Sequence, residues 1–215
     1  MKQTPSLKKL IIQLKKAAQI YKQLMDKHYL IIYEGNYIEI TFNKRNFKHL
    51  TGIGSNLNAK SFFDNSLSGK IRCNQIFFDM NHPYALCKKK LEGLINLEKS
   101  LCSDLLILHK IKSKTYIIPE GLTNLDFVLG LDVNNNKNGK ILNEMLIPYT
   151  LRVEDDTAFD NSSSQHQVDF IISKLAQEKM YSTLYFGNAS NLMSLPEEIK
   201  STIDFNNIEI YNIII

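Results

Sequence analysis

The run Tyr29-Leu30-Ile31-Ile32-Tyr33-Glu34-Gly35-Asn36-Tyr37-Ile38-Glu39-Ile40-Thr41-Phe42 decides how the chain folds. Two segments rich in β-branched and aromatic residues flank Gly35-Asn36, a pair that tolerates positive φ and so suits a tight hairpin turn. In the second segment Ile38, Ile40 and Phe42 alternate with Glu39 and Thr41, which gives a strand with one apolar face. Upstream, residues 7–27 place Leu10, Leu14, Ala17, Ala18, Tyr21 and Leu24 at the three- and four-residue spacing of an amphipathic helix. Thr4 or Ser6 caps it, and Lys8, Lys15 and Lys22 recur on its other side. A helix leading into a hairpin sets up a helix packed on an antiparallel sheet.

Downstream of the hairpin, Asn43 to Ser55 gathers Lys44, Arg45, Lys48, His49 and Thr51 with two glycines, Gly52 and Gly54. Its polarity reads as a loop delivered by a rigid strand, a common location for functional side chains. Asn58 to Leu67 then reads as a helix with Phe62 and Phe63 inward, and Gln75 to Phe78 as a short strand. Pro83 opens a helix running to about Leu101 that carries Lys88, Lys89 and Lys90.

The remainder is strand-rich. Asp104–Lys110 with Thr115–Ile118, and Leu125–Asp132 with Ile141–Val153, read as two antiparallel pairs, the second joined by a polar tip at Asn134–Gly139. The charged, Ser-rich stretch Glu154–Gln167 reads as a mobile loop. Val168–Ser173 and Tyr181–Phe186 read as strands, with a helix over Asp169–Lys179 as the rival assignment. A short helix at Pro196 and an edge strand over Ile208–Ile215 finish the chain. The expected class is α+β, a mostly antiparallel twisted sheet with the N-terminal helix and further helices packed on it, in one domain spanning residues 1–215.

Charge is distributed unevenly. Residues 1–100 hold 17 Lys and Arg against 7 Asp and Glu, whereas residues 101–215 hold 9 against 15. A basic front half suits an anionic partner such as nucleic acid, since phosphate contacts supply most non-specific affinity. The three cysteines show no Cys-x-x-Cys spacing and read as free thiols, so no disulfide framework or metal site is expected. No apolar run reaches the roughly 18 residues of a membrane span, and the lysine-rich N-terminus is unlike a signal peptide, so a cytoplasmic protein without membrane contact is expected.

Cleaving RNA without a metal requires a base for the ribose 2′-hydroxyl, cations for the phosphate and an acid for the leaving oxygen. Residues 44–51 offer one candidate for each role: His49, the cations Lys44, Arg45 and Lys48, and the Thr51 hydroxyl. Arg152, the sole Arg after residue 100, is either a second phosphate ligand or a structural ion-pair partner. His28 reads as the end of the first helix, His82 as a helix-start residue before Pro83, His109 as a strand residue and His166 as a loop residue.

The segment Arg45-Asn46-Phe47-Lys48-His49-Leu50-Thr51-Gly52-Ile53, after that helix and hairpin, resembles the opening of a phage-associated nuclease family. The family belongs to the barnase–EndoU–colicin–RelE-like group of ribonucleases. Its Asn-Phe-x-His-Leu-Thr-Gly signature is followed by an Ala-x-x-Phe-Phe helix, here Ala59, Phe62 and Phe63, and by strands like Val168–Lys174 and Tyr181–Tyr185. The similarity covers roughly Tyr21 to Phe186. It implies RNA held across the sheet, a toxin or phage-conflict role, no cofactor, and an inhibitory antitoxin, protein or RNA. By position it implies catalytic roles for His49, Arg45, Thr51, Lys174 and Tyr181. The alternative is a non-catalytic RNA- or protein-binding module of a mobile element.

Overall fold

The computed structural model describes residues 5–113, 116–135, 140–153 and 157–212. Thr4, most of the expected polar tip (136–139), the acidic run 154–156 and residues 213–215 therefore lie outside the described residues.

Helix α1 (Pro5–Met25) forms where the apolar stripe predicts it, already enclosing Ser6. Leu10, Leu14, Ala17, Ala18, Tyr21 and Leu24 are all fully buried. Strands β1 (Lys27–Tyr33) and β2 (Asn36–Thr41) make the hairpin, but the turn sits one residue earlier than expected. Tyr33 pairs with Asn36, and the turn residues are Glu34 and Gly35, both at positive φ. Glu34 is held in this conformation, costly for a residue with a Cβ, because its N–H donates to the Asp169 carboxylate at 2.8 Å.

The polar segment that reads as a loop is a helix, α2 (Lys44–Thr51). The Asn43 side chain accepts from the Arg45 N–H at its start, and Gly52, at φ 68°, ends it in the left-handed conformation that glycine adopts without penalty. Phe47, Leu50 and Thr51 form its buried face. A two-stranded ribbon, β3 (Gly54–Ser55) with β4 (Ile76–Phe77), flanks helix α3 (Ala59–Leu67), and α4 (Tyr84–Ser100) follows.

The second half supplies β5 (Leu106–Lys112), β6 (Ile117–Thr123), β7 (Phe127–Asn135) and β8 (Ile141–Val153). A short helix α5 (Thr157–Asp160) and β9 (Ser164–Gln167) occupy the stretch expected to be mobile; β9 is ordered by antiparallel pairing with β5. Then come β10 (Phe170–Leu175), β11 (Thr183–Phe186), α6 (Glu197–Lys200) and β12 (Glu209–Ile210). The strand reading of residues 170–175 holds over the helical one.

One ten-stranded sheet runs β12-β11-β10-β1-β2-β8-β7-β6-β5-β9, antiparallel except for the β2–β8 and β11–β12 pairs. In a flat sheet β9 and β10 would stand seven spacings, about 34 Å, apart. Only Val168 and Asp169 join them, which can bridge about 11 Å. The sheet therefore bends back until its β9 edge approaches β1 and β10. The Val168 N–H bonds to the Leu105 carbonyl and the Asp169 N–H to the Ile32 carbonyl.

The principal core fills between the sheet and helices α1 to α4. A second core, around Leu30, Ile32, Ile172 and Tyr181, lies on the opposite face of β1 and β10 under residues 189–203. Strand alternation explains the division: Tyr29 and Ile31 face the helices, Leu30 and Ile32 the other side.

Candidate functional site

Helix α2 is fixed before any of its polar groups act. Phe47 packs on Tyr21, Phe62 and Phe63 with ring centroids 5.2–6.1 Å apart, and the Tyr21 hydroxyl donates to the Asn43 carbonyl. The Lys48 ammonium donates to the carbonyls of Ser55 and Leu57, both at 2.8 Å, tying the helix to the following segment. The Thr51 hydroxyl donates to the Lys48 carbonyl at 2.7 Å and accepts from the Ile53 N–H at 3.1 Å, wholly buried. Both side chains hold the backbone. Lys44 stands at the surface, 3.3 Å from Asp64.

Arg45 and His49 remain, one turn apart on the exposed side of α2. They line a pocket of about 330 Å³ with Gly52, Gly54, Asp79 and His82. The approach of α4 depends on Gly52: a Cβ there would stand 2.9 Å from His82 Cδ2 and 3.2 Å from Lys90 Cδ. Lys90 is only 7% exposed, and its ammonium pKa is lowered first by burial and further by Arg152. The His49 ring packs on Tyr149 of β8, centroids 5.1 Å apart. His49 is exposed as a residue, yet partial desolvation of its ring, then Lys90 and His82, lower its pKa. Asp79 accepts from the N–H groups of Asn81 and His82, and its carboxylate is 3.6 Å from His82 Nδ1.

Arg45, Lys48, His49 and His82 thus line a cavity with Asp79 as its lining carboxylate, and Lys90 stands behind Gly52, so the local field favours an anion. A larger cavity, about 650 Å³ beside α4, mixes Lys89 with Glu92 and Asp126 and lacks this bias. Arg152, on β8, does not line this pocket, although its charge helps lower the Lys90 pKa; His82, Lys90 and Tyr149 are neighbours of His49 that the sequence does not assign to the site. Lys90 had a signal: with Cys87, Leu91, Leu94 and Leu97 it falls on the buried stripe of α4.

Lys174 and Tyr181 are not brought to His49. They lie on the other face of the sheet, where the Lys174 ammonium stands 4.4 Å from the centre of the Tyr181 ring. The Tyr181 hydroxyl donates to the Glu39 carboxylate, and burial followed by Glu39 raises its pKa far above that of a free phenol. Neighbouring His28 has its pKa lowered by burial and by Lys174. A further group joins the bent sheet: His109 lies 2.5 Å from Glu120 and His166 lies 2.8 Å from Glu34, with the two imidazole rings 5.2 Å apart. His166, expected in a loop, is a residue of β9.

Among the described residues no cluster of three or more His, Cys, Asp or Glu is placed to hold a metal ion, and no helix is long and apolar enough to cross a membrane. No curated protein and no solved structure matches the chain significantly. The sequence model of one family, described as phage-Barnase-EndoU-ColicinE5/D-RelE like nuclease 4, matches residues 13–189, from within α1 to beyond β11. The span includes every residue of the basic pocket, and the chain belongs to this nuclease family.

Proposed function

We propose that the protein is an endoribonuclease that cleaves RNA without a metal ion, through attack of a ribose 2′-hydroxyl on the adjacent phosphate. The observation that carries this reading is the environment of His49: an imidazole that lines a pocket with Arg45, Lys48 and His82, with the buried Lys90 near enough to lower its pKa. Burial and the neighbouring cations keep the His49 ring neutral, as a general base must be. It takes the 2′-hydroxyl proton, the 2′-oxygen bonds to phosphorus, and the 5′-oxygen departs with a proton from His82. The products are a 2′,3′-cyclic phosphate and a 5′-hydroxyl. Arg45 stabilises the charge that grows on the phosphate oxygens, with the buried Lys90 adding its field from behind Gly52. Thr51 and Lys48 serve by holding α2, and Lys174 and Tyr181 have no part in this step.

The purified protein should cut RNA in EDTA and leave cyclic phosphate ends, and His49→Ala should slow cleavage by about 10²- to 10⁴-fold. Cleavage by His49→Ala at the wild-type rate would remove the assignment. Salt-sensitive RNA binding without cleavage under any condition would favour the non-catalytic module. A toxin or phage-conflict role adds that expression slows growth, that His49→Ala relieves it, and that an antitoxin works by covering the pocket.

A further inference from the structure

Next to the basic pocket the surface is aromatic. Tyr149 of β8 is 41% exposed although its ring lies against His49, and Tyr116, also 41% exposed, meets Tyr149 nearly edge-on at 6.3 Å and 83°. The two phenol rings make an open corner beside the candidate catalytic imidazole. Phe77, 54% exposed, lies over the pocket residue Gly54, where a Cβ would come within 2.3 Å of its ring. Flat apolar rings left in water cost hydration free energy. When they border a cation-lined pocket, the ligand class that satisfies both is one with a phosphate and an adjoining flat base.

We infer that Tyr149, with Tyr116 as side wall, is a stacking platform for an unpaired nucleobase next to the phosphate bound by the pocket, and that the protein selects single-stranded over duplex RNA. The inference rests on the proposed nuclease reading for the identity of the phosphate. A base inside a duplex already has neighbours on both faces and cannot lie on the Tyr149 ring, so pairing the substrate removes this contact and leaves only the cations. Stacking of this kind tolerates any base, because every base offers a π face. Discrimination by strandedness, rather than by sequence, follows.

The probe is a fluorescent 2′-O-methyl RNA 12-mer, which lacks the attacking hydroxyl and cannot be cut, bound by the full-length protein alone or after annealing to its complement. Expected are tighter binding of the single strand, a loss of about 5- to 100-fold on Tyr149→Ala, and near wild-type binding by Tyr149→Phe. Tyr149→Ala should leave duplex binding unchanged and keep the slope of affinity against salt, whereas Arg45→Ala should flatten that slope. Equal single-strand binding by Tyr149→Ala and wild type, or an equal loss on duplex, overturns the inference. Because the probe is uncleavable, the two readings fail separately. Stacking without cleavage of ordinary RNA refutes the nuclease and not the platform. Unchanged KM in Tyr149→Ala with normal cleavage refutes the platform and not the nuclease.

Discussion

Substituting Gly52 tests whether the pocket is built as described. Gly52→Ala places a Cβ on a backbone at φ 68°, which costs about 1–2 kcal/mol for an L-residue. Restricting the unfolded chain offsets about 0.4–1 kcal/mol of this. Gly35→Ala is the internal control: φ is 72°, but its Cβ meets only Pro196 Cγ, at an ordinary 3.6 Å. That variant should lose about 1 kcal/mol, or about 2–4 °C in melting temperature for a chain of this size. At Gly52 the Cβ also crowds His82 at 2.9 Å and Lys90 at 3.2 Å, and crowding in packed surroundings costs a further 1–3 kcal/mol or so. Gly52→Ala should therefore melt about 5–15 °C below wild type. His82 must also move, so the histidine ring resonances of His49 and His82 should shift by NMR in Gly52→Ala and stay in place in Gly35→Ala. Equal melting of the two variants, with those resonances unmoved, would show that α4 does not close on Gly52.

Other consequences are separately measurable. His49 has a lowered pKa, so it stays neutral below the ordinary imidazole value of about 6.5, and cleavage should persist as pH falls through 6.5 before it is lost; an acid limb at or above 6.5 in the pH–rate profile contradicts the base assignment. The same shift means that the unfolded chain takes up this proton first, so His49 contributes to destabilising the fold as pH drops below about 6.5, visible in urea midpoints. Lys90→Met removes a cation that opposes His49 protonation, so the NMR titration of His49 should move upward while cleavage falls about 10- to 10³-fold; an unmoved titration refutes the coupling. Thr51→Val deletes a buried hydroxyl with two backbone partners and should cost about 1–3 kcal/mol in urea unfolding, most of it restored by Thr51→Ser.

The elements of the fold were largely legible because their periodicities are strong. The stripe of α1, the Tyr29–Phe42 hairpin and the paired strands of the second half are visible as patterns. Helix α2 was hidden by its own chemistry: six polar side chains in eight residues resemble a loop, although Asn43 and Gly52 stand at capping positions with Phe47, Leu50 and Thr51 spaced as one buried face. The site was half legible. His49 and Arg45 share a helix, so local spacing places them together. His82, Lys90 and Tyr149 join them through the docking of α4 and β8, a long-range arrangement that composition does not encode. Lys174 and Tyr181 were misplaced by the reverse effect, since sheet alternation turns them to the far face and nothing local reveals it. Strand β9 was obscured because an edge strand of Ser, Gln and His owes its order to β5, not to its own propensity.

The short Val168–Asp169 link has a consequence for how the molecule comes into being. Strand β1 emerges early from the ribosome with β2 as its first neighbour, and its other flank, the apolar row Tyr29 to Tyr33, awaits β10, more than 130 residues later in translation. Pairings across such a separation form slowly and leave an adhesive seam until they close. A chain cut short between Lys90 and Phe170 keeps that seam open even though Arg45, His49 and Lys90 have all been made, so the sheet under the candidate site is completed only by residues far downstream of it.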